Sequence, residues 1–214
     1  MDTPIHVSPI LTVNRPAEKL KRFLEAEWEI YDGAPVAQDA KLTLLDILVS
    51  VSMNSRLDTA DKVKSVWDSR DSVEKGLNLV PGGVSLTDEN VPWDGLKVLF
   101  DVFCAVRYVK EAVATKILHR KRPALIPIID SIVAAYLNDS RTCSLPRAIS
   151  IGDRLVGNMR CFREQLLGCL SQITALCEMA ALEHRPITPV RALEILIWTA
   201  REPRGYYRKG AGEV

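Results

Sequence analysis

The stretch ATKILHRKRPALIPIIDSIV, residues 114–133, holds a helix ending, a helix start and the densest positive charge of the chain. The pattern from Val106 to His119 is helical, so His119, Arg120, Lys121 and Arg122 fall at the carboxy-terminal end of that helix. Pro123 halts it, because the residue before a proline is pushed out of the α region. Cations there complement the negative pole of the helix dipole. Pro127 then opens a second helix through Tyr136, with Asp130 in its first turn, where the dipole favours a carboxylate by about 0.3–1 kcal/mol. Both features therefore have a structural reading beside a functional one, in which the cations grip an anion and Asp130 does chemistry.

The sequence is helical on both sides of this stretch. PAEKLKRFLEAEWEIY (residues 16–31) has Pro16 at a first helical position and Leu20, Phe23 and Leu24 at helical spacing. QDAKLTLLDILVSVSM (38–53) follows, with Leu42, Leu45, Leu48 and Val49 expected on one face. The segment from Asp58 or Thr59 ends at the turn Pro81-Gly82-Gly83, and two more helical segments follow it. From Asp153 to Glu183 the apolar positions step by three or four, giving one long helix or two broken near Gly168. Thr188 and Pro189 cap and start a last helix. With no alternating strand followed by a hairpin signal and no internal repeat, the expectation is a compact multi-helix, all-α domain over residues 1–202, followed by a basic, aromatic tail at 203–214.

Composition narrows the function classes. The chain has 214 residues, 47% hydrophobic and 26% charged, as an ordinary globular protein does. It shows no amino-terminal basic segment with a following apolar run and no long apolar window, which points to a cytoplasmic protein without a membrane span. Five cysteines without a C-x-x-C pair suggest neither a disulfide framework nor a zinc knuckle, and are expected to be buried thiols. The net charge of +1 conceals an asymmetry: residues 1–104 hold 11 Lys or Arg against 17 Asp or Glu, and residues 105–214 hold 17 against 10. The second half is the one to meet an anion.

Two resemblances give that anion a possible identity. The segment from Ala114 to Val133, with Lys116, Ile117, Leu118, Lys121, Arg122, Pro123, Leu125, Pro127 and Asp130, and the later Arg191, Leu193, Glu194 and Trp198, together resemble an uncharacterised bacterial all-α family. That family carries "TA-x-KLL-x-x-KRP-x-L-x-PV-x-D" and a distant "LR-x-L-D-x-x-x-W". The order of a lysine-bearing helix, a short loop and a "P-x-x-D" helix start is also similar to the helix-hairpin-helix DNA glycosylases. That likeness implies a hairpin gripping a backbone phosphate and an aspartate assisting cleavage of the base–sugar bond, with the target base flipped out of its stack. Asp130 takes the aspartate's place, and Lys116 a phosphate or packing role.

The sequence departs from the hairpin pattern because no glycine occurs between Gly95 and Gly152. Side chains are then expected to grip the phosphate: Arg107, Lys110, Lys116, His119, Arg120, Lys121 and Arg122. Tyr108, Arg191 and Trp198 are candidates for a base pocket, and a tryptophan at helical spacing is equally a core residue. His6, His119 and His184 have no ligand-type partner at helical spacing, so no metal is expected. There is no G-x-S-x-G elbow or phosphate-binding G-x-x-x-x-G-K-[ST] loop, and no cofactor is implied. Two readings stand. One is an enzyme acting on the N-glycosidic bond of a nucleic acid or nucleotide through Asp130; the other is a non-catalytic module of the same fold, its basic patch docking an acidic protein partner.

Overall fold

The computed structural model of the chain describes residues 3–25, 29–35, 37–145, 148–183 and 186–201. The basic, aromatic tail and His184 lie outside them. Among the described residues eleven helices and one small sheet are formed, so the mostly helical expectation holds.

The sheet is a feature the sequence reading did not anticipate. β1 (Ile5–Ser8) and β2 (Leu11–Val13) pair antiparallel, and Ile5, Val7, Leu11 and Val13 alternate into the core. Each strand is too short to display a period by itself. α1 (Pro16–Leu24) ends before residues 26–28, and α2 (Glu29–Gly33) follows. α3 (Leu44–Ser52) is started by a capping box in which Thr43 accepts from the Asp46 amide and Asp46 accepts from the Thr43 amide.

The buried face of α3 is Asp46, Ile47, Val49 and Ser50, whereas Leu45 and Leu48, expected inside, are exposed. A charged requirement rotates the helix: Asp46 meets Arg120 and Lys121 in the interior. α4 (Ala60–Asp68) and α5 (Arg70–Leu77) lead to the exposed Pro81-Gly82-Gly83 turn, where Gly83 has φ 80°.

α6 (Trp93–Cys104) packs between α5 and α9 (Ile151–Gly168). Gly152 seats the start of α9 on α6: its amide donates to Asp101 Oδ1 at 2.7 Å, and a Cβ there would lie 2.5 Å from the Lys97 carbonyl. α9 and α10 (Leu170–Glu183) are bent by 83° beside Gly168, the break expected there. No single helix among the described residues is long and apolar enough to cross a membrane. Cys143 and Cys161 form a disulfide, Cα–Cα 6.0 Å, against the expectation of thiols only. The turns after α8 (Ser131–Leu137) bring Cys143 back against α9, a proximity that spacing does not encode.

Two helices run through the middle. α7 (Glu111–Lys121) is buried from Val113 to Lys121 and α11 (Pro189–Arg201) from Val190 to Trp198. A helix buried all round must be apolar all round or find partners for its polar groups. α11 takes mainly the first course and α7 the second.

Candidate functional site

α7 begins five residues later than its periodicity suggests. Residues 105–110 form a turn in which Tyr108 has φ 70°, a left-handed conformation that costs a non-glycine residue about 1–2 kcal/mol. Lys110 sits at the N-cap, and its side chain makes no capping hydrogen bond to the first-turn amides.

The cations at the other end of α7 turn inward, which corrects their assignment to anion binding. Arg122 is 3% exposed and donates to the carbonyls of Leu77, Val80, Gln38, Asp39 and Lys121 at 2.7–3.2 Å. Lys121 lies between Asp39 (2.8 Å) and Asp46 (3.4 Å). Arg120 donates to the Tyr31 and Pro35 carbonyls and pairs with Asp46. An Arg fork or ammonium committed to buried acceptors has no donor turned to a phosphate. Three cations therefore tie α7 to residues 31–46 and 77–80.

His119 is likewise internal. Its Nδ1 donates to the Ile126 carbonyl at 2.6 Å, and burial pushes its pKa down to about 4, which leaves the ring neutral. One turn earlier Thr115 Oγ1 accepts from the Ile129 amide at 3.1 Å. These two residues, four apart on one face, lay the extended segment after Pro123 along α7 and deliver Asp130 beside Lys116. α8 consequently starts at Ser131, not Pro127, and Asp130 is its N-cap.

Asp130 Oδ1 accepts from the amides of Ile132 and Val133, both at 2.9 Å, and Oδ2 has no hydrogen-bond partner among the described residues. The half-buried carboxylate lines a cleft of about 700 Å³ with Phe23, Tyr108 and Trp198 as aromatic walls, Arg56 and Lys110 as cations, and Glu194. Neither Arg56 nor Lys110 has a side-chain partner among the described residues. Lys116 Nζ donates to the Met53 carbonyl at 2.6 Å, holding the loop that carries Arg56, and its burial lowers its pKa despite the pull of Asp130 and Glu194. Arg107 stands outside the cleft, stacked 4.6 Å over the Tyr108 ring. Among the described residues four non-glycines have positive φ, and three of them, Asn54, Arg56 and Tyr108, line this cleft. Backbone strain of that kind concentrates at functional sites.

Behind the cleft Arg191 is buried, bound through two bonds to Asp32 (2.8 and 2.9 Å) and also to Glu194. It supports the pocket and does not line it, whereas Trp198 and Tyr108 do. Sequence reasoning gave Arg56 and Glu194 no role. Glu194 had a signal: it and Arg191, three apart, are the only charged residues of α11 before Arg201.

The sequence profile of a family of unknown function, DUF6308, matches residues 13–201. The chain belongs to that family. No curated protein and no solved structure matches this DUF6308 member.

Proposed function

We propose that this DUF6308 member hydrolyses the N-glycosidic bond of a nucleotide or of a nucleic-acid strand in the cleft beside α7. The observation that carries the reading is Asp130: one oxygen fixes the carboxylate to α8, and the other has no hydrogen-bond partner among the described residues and lines a cleft with aromatic walls and with the cations Arg56 and Lys110. A base stacks on aromatic faces regardless of its identity, and a phosphate is drawn by Arg56 and Lys110. Between them the sugar would face Asp130, whose negative charge stabilises the oxocarbenium-like transition state and orients water toward C1′. A cleft of about 700 Å³ is in the range of small-molecule sites. Docking of an acidic partner on the 116–122 run has no support, because those side chains are buried.

The test is release of free base from nucleoside 5′-monophosphates and from single-stranded and duplex oligonucleotides. Asp130→Asn retains a capping oxygen, so its stability should change by about 1 kcal/mol or less, while release falls by about 10²-fold or more. Release undiminished in the variant, or absent from the wild type on every substrate, overturns the reading.

A further inference from the structure

The cleft contains a second carboxylate in an environment unlike that of Asp130. Glu194 is 2% exposed, yet its side chain lines the cleft with Trp198. Oε2 takes the Arg191 guanidinium, and Oε1 has no hydrogen-bond partner among the described residues. The charged and titratable groups around it come from four elements: Arg191 from α11 itself, Asp32 and Tyr31 from α2, Lys116 from α7, and Asp130 at the start of α8. Arg191 is one positive charge facing two carboxylates, and Asp32 holds it through two bonds. Glu194 is the carboxylate left undercompensated. Burial first, with Asp130 and Asp32 adding to it, pushes its pKa up to about 7 against the pull of Arg191. A buried carboxyl that holds its proton near neutral pH and has an oxygen on the cleft is what a general acid requires.

Resting on the hydrolase reading above, we propose that Glu194 is the general acid of the cleft, protonating the departing base, and that the substrate is a nucleotide carrying a neutral base. The C1′–N bond breaks and its electron pair passes to the base nitrogen, which takes the proton of Glu194. A water oxygen bonds to C1′ and gives its proton to Asp130. The products are the free base and a sugar with a 1′-hydroxyl, and solvent returns the proton from Asp130 to Glu194.

A base that is already cationic needs no such proton. Adenosine 5′-monophosphate and N7-methylguanosine 5′-monophosphate are therefore compared as substrates for wild type and Glu194→Gln. The expected result is a loss of about 10²–10⁴-fold on the neutral base and less than about tenfold on the methylated one. An equal loss on both overturns the role of Glu194 and leaves the hydrolase reading standing; no release of either base by the wild type overturns both. The wild-type pH profile keeps the proposal testable if the variant does not fold. Because the protonated form is the active one, release of adenine should fall as pH rises through about 7. A rate that is flat or rising across that window contradicts it.

Discussion

The cations from Lys116 to Arg122 and the cations of the cleft differ in a way their density in the sequence does not forecast. The run concentrates five basic or titratable residues in seven positions, and the structure buries all five. Arg56 stands alone in its loop and Lys110 precedes the run; both are exposed, line the cleft and have no side-chain hydrogen bond or ion pair among the described residues. Burying an unpaired cation is prohibitive, but a cation with several carbonyl and carboxylate acceptors serves as a crosslink. Clustered charge can therefore mark the best-connected part of an interior, while the field at the surface comes from sparse residues.

The largest effect expected of this contrast is on stability. Arg122→Ala should lower unfolding free energy by about 3–5 kcal/mol, because buried carbonyl oxygens of residues 38–39 and 80 lose their donor, and Lys121→Met by about 1–3 kcal/mol, because Asp46 loses one of its two cations but keeps Arg120 and Thr43. Chemical denaturation measures it, and a loss below about 0.5 kcal/mol for both, typical of a surface site, would break the contrast. At the small end, Arg56→Ala and Lys110→Ala should change stability by no more than about 0.5 kcal/mol. Each should instead reduce the salt slope of single-strand binding by about 0.7 if it neutralises one phosphate. An unchanged slope in both would remove the phosphate from that side of the cleft.

Local chemistry was legible where a residue acts on its own backbone. Thr188 caps α11 through the Arg191 amide, the chain bends beside Gly168, and Pro81-Gly82-Gly83 turns at the surface; Asp130 lies near a helix start as expected, although that helix begins at Ser131 and not at Pro127. Illegible features depend on groups distant in the chain. The acceptors that draw Arg120, Lys121 and Arg122 inward are carbonyls and carboxylates of residues 31–46 and 77–80, and no local pattern displays them. The same pairing explains α3, whose apolar stripe yields to Asp46. The site was half legible: Asp130, Lys110, Lys116, Tyr108 and Trp198 do line one cleft, but Arg56 comes from a loop and Glu194 from a helix that reads as core.

The most direct test of the proposed site is a crystal structure of the Asp130→Asn variant, which should not turn its ligand over, with a nucleoside 5′-monophosphate bound. The expected complex has the phosphate on Arg56 and Lys110, the base against Tyr108 or Trp198, and C1′ facing position 130. A phosphate seated on Arg120, Lys121 or Arg122, or a nucleotide bound away from position 130, would contradict the account.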